Sequence, residues 1–246
     1  MFELLALELA EFYPDIRPYG EAAFLLDFRR PDYDEGLSRF IHSLNRSFQS
    51  QGFYDEIVPG YDSLLLSFNP LMISPDTILT HIKDALGKTG EDTAASHRVE
   101  IPVCYGGEYG PDMENIQKSS GLSAEDIISR HSGRDYHVCM MGFIPGFSFL
   151  SALDPLLAHP RHVSPRGIVP AGSVGIANWQ TGIYGLESPG GWQIIGRTPV
   201  QIFDGAREAP FLLSPGDKVR FVPSGPDIFE RKNAPNISGK IRGGHD

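Results

Sequence analysis

The sequence predicts an α+β two-layer sandwich over residues 1–88, followed by a mainly-β domain, barrel or sandwich, over residues 97–231. Three observations carry that expectation. Before residue 87, strand-like apolar runs alternate with runs at helical spacing. The stretch "GKTGEDTAASH" (87–97) is polar, made of small residues and without an apolar period, so it reads as an interdomain linker. After it, Gly and Pro punctuate short apolar runs roughly every eight to twelve residues.

In order along the chain, "IRPYGEAAFLLDF" reads as one strand closing on Phe24, Leu25, Leu26 and Phe28. "DEGLSRFIHSLNRSFQSQG" then sets Leu37, Phe40, Ile41, Leu44 and Phe48 at helical spacing. "YDEIV" and "SLLLSF" are two strands joined by "PGYD", where Pro-Gly favours a type II turn. Ser74 caps a helix over "PDTILTHIKDALG", with Pro75 in its first turn and Gly87 at its exit. In the second part, "GLSAEDIISRHSG" is a helix with Ser123 as N-cap and Asp126 in the place of a capping-box acid. "LSPGDKVRFVP" supplies a final turn and strand. Residues 232–246 hold too few apolar side chains to pack and read as a flexible tail.

With 246 residues, 41% of them apolar and 11% aromatic, the chain can fill one large core or two modest ones. A net charge of −10 argues against a nucleic-acid partner, which calls for a basic face. The N-terminus "MFELLALELAEFYPD" carries Glu3 and Glu8 and no basic segment, which makes a poor signal peptide. No stretch is long enough to span a bilayer, so the expectation is a cytoplasmic protein without a membrane partner. Cys104 and Cys139, in "IPVCY" and "YHVCMM", read first as buried free thiols. A disulfide, or a nucleophile paired with a distant histidine, is the other reading.

The stretch "VPAGSVGIANWQTGIYGLESPGGWQIIGRTP" (169–199) raises the question of a site. It has neither nucleotide-binding glycine loop. Turn chemistry explains its glycines, but not Gln180, Thr181, Tyr184 and Trp192 set between them, which suit a polar small-molecule pocket. "HPRHVSPRG" (159–167) groups Arg161 and Arg166 with His159 and His162, and Arg197 is a further candidate. An anion would favour such a cluster, while a solvated loop with arginines bridging carbonyls explains it equally. His159 and His162 lack the partners of a metal site, and none is expected. His131 is a candidate general base or a charge on a helix C-terminus, and Ser173 in "AGSVG" a weak candidate nucleophile. Phe143, Phe147 and Phe149 in "GFIPGFSFL" form either a core hairpin or the wall of a pocket.

Taken together, "YGGEYGPDM", "GLSAEDIISRHSGRDYHVCMMGFIPGFSFL", "PRGIVPAGSVGIANWQTGIYGLESPGGWQIIGRTP" and "LLSPGDKVRFVP" resemble the family of KipI and the 5-oxoprolinase B subunit, whose relatives include the allophanate hydrolase subunit 1 type and the carboxyltransferase subdomains C and D of urea carboxylase. The resemblance implies a cyclophilin-like barrel for the second domain and a chain that works in a heteromeric complex. There, the 5-oxoprolinase B and C subunits pair directly, and with the A subunit they couple ATP hydrolysis to opening of 5-oxoproline. ATP belongs to the complex, with no cofactor evident in this chain, and the substrate is a small carboxylate. Positions that match the family and are carried over as substrate-binding are Phe143, Phe147, Arg166, Ser173, Gln180, Thr181, Tyr184, Trp192 and Arg197. No catalytic residue is carried over. The chain departs from the pattern at Ser148-Phe149, at Asn178-Trp179 and at Gly185. The alternatives within the family are a KipI-like inhibitor of a sporulation-type histidine kinase and the carboxyltransferase half of a biotin-dependent urea carboxylase.

Overall fold

The computed structural model describes residues 12–29, 35–88 and 97–229. The N-terminal segment before residue 12, most of the 87–97 stretch and the 232–246 tail lie outside them. The chain divides into two compact units, Met1–Ala95 and Ser96–Asp246.

In the first unit the strands are β1 (Asp15–Pro18), β2 (Ala23–Asp27), β3 (Glu56–Pro59) and β4 (Ser63–Ser67), and the helices α1 (Glu35–Gln49) and α2 (Pro75–Lys88). The four strands form one antiparallel sheet in the order β1-β2-β4-β3. The single strand expected at "IRPYGEAAFLLDF" is a hairpin instead. Gly20 enters the left-handed region, with φ 70°, and the Tyr19 amide donates to Ala23 O at 2.8 Å, which folds Asp15 back onto Asp27. The type II turn expected at Pro59-Gly60 is also absent. Gly60 stays out of the left-handed region that this turn demands, and its amide closes the loop by donating to Ser63 O at 2.8 Å. Ser74 does cap α2, its hydroxyl accepting from the Thr77 amide at 3.2 Å. Leu26, Leu64 and Leu66 of the sheet pack with Leu44, Phe48, Ile78 and Ile82 of the helices in one fully buried cluster. Each such side chain contributes about 1.5–3 kcal/mol on burial.

The second unit resolves the choice between barrel and sandwich. Its strands are β5 (Arg98–Tyr105), β6 (Asp135–Met141), β7 (Ser148–Ser151), β8 (Arg166–Val169), β9 (Ser173–Ala177), β10 (Gln180–Ile183), β11 (Ser188–Gly190), β12 (Gln193–Arg197) and β13 (Lys218–Pro223). Seven of them close a barrel in the order β10-β7-β6-β13-β5-β12-β9, and β8 pairs with β11 as a separate ribbon. Only the β5–β13 pairing is parallel in the barrel. Two helices follow β5: α3 (Met113–Ser120) and α4 (Ala124–Ser132). The α4 capping box forms as expected between Ser123 and Asp126. α3 has no counterpart in the sequence-based reading, because it is short and buries only Met113 and Ile116. Tyr136, Val138, Ile176, Ile195 and Phe221 are among the buried residues of the barrel core.

Candidate functional site

A second apolar cluster in this unit, separate from the barrel core, gathers Phe147, Val169, Ala177, Tyr184, Trp192 and Ile194. Phe147 is its hub. Its ring centroid lies 4.6 Å from Phe149, 4.9 Å from Tyr184 and 5.2 Å from Trp192, the last two edge to face. These rings wall a cavity of about 340 Å3, together with Phe143, Arg161, His162, Pro165 and the Pro189-Gly190-Gly191 segment. Its size and aromatic lining suit a small-molecule site.

The "GFIPGF" turn builds one lip. The Ile144 amide donates to Gly142 O at 2.9 Å, and Phe143 between them has φ 70°. This i to i+2 bond around a positive φ is a γ-turn of the strained kind. It leaves Phe143 67% exposed at the cavity edge, with its ring 5.7 Å from Phe147. Opposite, Gly190 passes so close to Tyr184 that a Cβ there would sit 2.3 Å from the phenol oxygen. The Tyr184 hydroxyl is buried near the Trp192 amide without a hydrogen bond of regular geometry. Burial raises its pKa, against smaller opposing influences from that amide and from the charges of Arg161 and Arg166.

The floor of the 159–167 loop is held by Asp112, just before α3. This carboxylate is 2% exposed, yet it accepts from Arg166 Nη1 at 2.8 Å, Arg166 Nη2 at 2.5 Å and the Ile194 amide at 2.6 Å. His162 Nε2 lies 3.2 Å away. The His162 amide donates to Gly191 O at 2.7 Å, which ties this loop to the cavity rim.

The residues singled out in the sequence fall into three places. Phe143, Phe147, Tyr184 and Trp192 line the aromatic cavity. Arg166, Ser173 and Arg197 line a second cavity of about 250 Å3, with Glu108 and Tyr109. Gln180 lines neither, and Thr181 is fully buried in the barrel, bonded to His131 Nε2 at 2.8 Å.

Several chemical roles do not survive this placement. Ser173 is 1% exposed and donates its hydroxyl proton to Pro170 O at 2.7 Å, so no base activates it as a nucleophile. His131 is no general base, because it is fully buried and desolvation, followed by the charge of Arg134, lowers its pKa to about 3. Arg166 is no open anion clamp, since the Asp112 pairing uses its guanidinium fork. Arg197 donates from Nε to Ala171 O at 2.9 Å, which is the carbonyl-bridging role. Cys104 and Cys139 are buried free thiols. Sequence reasoning missed Asp112, whose signal was its place before the α3 turn in "GPDM".

Among the described residues no helix is long and apolar enough to cross a membrane. Known proteins resemble this chain over most of its length. The family model "Carboxyltransferase domain, subdomain C and D" matches residues 14–213. The chain is 38% identical over 220 residues to the 5-oxoprolinase B subunit of Bacillus subtilis, covering 84% of this chain and 91% of that protein. It is 42% identical over 208 residues to the 5-oxoprolinase B subunit of Escherichia coli O157:H7, covering 83% and 93%. The crystal structure of TTHA0988 superposes with a TM-score of 0.72 at 36% identity, over 85% of this chain and 40% of that one.

Proposed function

The chain belongs to the family of carboxyltransferase subdomain C and D proteins, and on that premise we propose that it is the B subunit of an ATP-dependent 5-oxoprolinase. With the A and C subunits it opens 5-oxoproline to glutamate in the cytoplasm, and it is inactive alone. The observation that carries this reading is the near full-length likeness to two relatives of that name. The domains are residues 1–88, as a two-layer α/β sandwich, and 97–231, as a cyclophilin-like barrel.

The described residues of this chain do not fit an ATP site. The sequence has no phosphate-cradling glycine loop, and Arg166 and Arg197 are engaged by Asp112 and Ala171. The nucleotide is therefore assigned to another component of the complex. This chain's part is to hold the substrate: aromatic walls exclude water from a lactam ring, and a cationic rim orients its carboxylate.

Replacing the B subunit of the Bacillus subtilis enzyme with this chain tests the reading. ATP-dependent glutamate formation in the hybrid is the expected result, and an assembled hybrid without turnover would count against it.

A further inference from the structure

The arginines around the two cavities are not equivalent, and the difference points to a ligand class. Arg166 is paired with Asp112, while Arg197, which lines the second cavity, bonds Ala171 O and lies 5.8 Å from the Phe229 ring. Arg161 differs from both. Among the described residues it has no acidic partner, it lines the aromatic cavity, and its guanidinium carbon lies 5.7 Å from the Trp192 ring centroid. An arginine held over an indole face at cation–π distance keeps its N–H groups free to bind a carboxylate. No carboxylate lines this cavity among the described residues, so nothing within it repels an anion.

We propose that Arg161, braced on Trp192, binds the carboxylate of a small ring-shaped monoanion whose ring lies among Phe147, Phe149, Trp192 and Tyr184. That the monoanion is 5-oxoproline rests on the 5-oxoprolinase reading. The ligand class rests on the cavity itself. The role of reading the carboxylate thus moves from Arg166 and Arg197 to Arg161.

The test is a titration of the full chain, followed by the indole N–H signals of its two tryptophans, Trp179 and Trp192, in a heteronuclear NMR spectrum. The probes are 5-oxoproline, its uncharged carboxamide and pyrrole-2-carboxylate. The expected result is a saturable shift of the Trp192 signal by 5-oxoproline. The carboxamide and the R161Q variant should each weaken binding about tenfold, the loss expected for a charge-assisted bidentate contact. R161K should weaken it less, and R207Q, at an arginine paired with Asp204, should leave it unchanged. The proposal is overturned if neither carboxylate shifts Trp192, if acid and amide bind alike, or if R161Q binds as tightly as the native chain. If pyrrole-2-carboxylate binds through Arg161 and 5-oxoproline does not, the anion site stands and the assignment of 5-oxoproline as its ligand falls. If the assembled complex opens 5-oxoproline with the R161Q chain as well as with the native one, the 5-oxoprolinase reading stands and the role given to Arg161 falls.

Discussion

Arg166 grips Asp112 through two parallel hydrogen bonds, Nη1 to Oδ2 at 2.8 Å and Nη2 to Oδ1 at 2.5 Å, across 54 residues of chain. The pair joins the start of β8 to the segment before α3, and the Ile194 amide adds β12 to the same carboxylate. R166A leaves that carboxylate buried without its cation, which costs about 3 kcal/mol. Denaturant unfolding at pH 7 measures the loss.

The same carboxylate sets an acid limb. Burial, the largest single influence, pushes its pKa up, but Arg166, the Ile194 amide and His162 together bring it below the usual 3.8. A native pKa below the unfolded one contributes stability that is complete above about pH 3.8 and is lost as pH falls through the native value. Comparing unfolding of the native chain and D112N between pH 5 and pH 2.5 should therefore show a shallower acid loss in the variant (roughly the window set by carboxylate titration).

His131 is a second device of the fold. Thr181 donates its hydroxyl to Gly175 O at 3.0 Å, so it can only accept from His131 Nε2, at 2.8 Å. His131 is then the neutral Nε2–H tautomer, and Tyr105 donates to its Nδ1 at 2.8 Å. T181V strands that N–H in the barrel core and costs about 1–3 kcal/mol, read as a lowered unfolding midpoint.

Because the His131 pKa is lowered from 6.5 to about 3, the unfolded chain takes up a proton that the native chain refuses. This contribution to stability is whole above about pH 6.5 and is lost as pH falls toward about 3. Imidazole 15N shifts should hold His131 neutral at pH 5. Titration near 6.5 would contradict the assignment.

Phe143 trades stability for position. In F143G the positive φ becomes free of strain, which returns about 1 kcal/mol, offset by the lost ring contact with Phe147. Thermal unfolding should change little, while ligand affinity at the aromatic cavity falls.

Much of the fold was legible because apolar period speaks for local structure. The α1 face formed by Leu37, Phe40, Ile41, Leu44 and Phe48 is buried as its spacing implied. The hairpin at Gly20 was missed because its strands are only four and five residues long, although Pro18, which ends the first, and Gly20 after it are turn signals. For the site, residue types marked the aromatic wall, but they did not divide the motif between two cavities. Adjacent residues of a strand face opposite ways, so Gln180 and Thr181 on β10 could not both line one cavity, and this was open to a sequence-level reading. The pairing of Arg166 with Asp112 was not, since local spacing carries nothing about a partner so distant in sequence.

The most direct test of the proposed activity is to assemble this chain with the A and C subunits proposed as its partners, then measure glutamate released from 5-oxoproline. The expected release requires ATP and stops when this chain is left out. Release that continues without the chain, or an assembled complex that leaves 5-oxoproline intact in the presence of ATP, would contradict it.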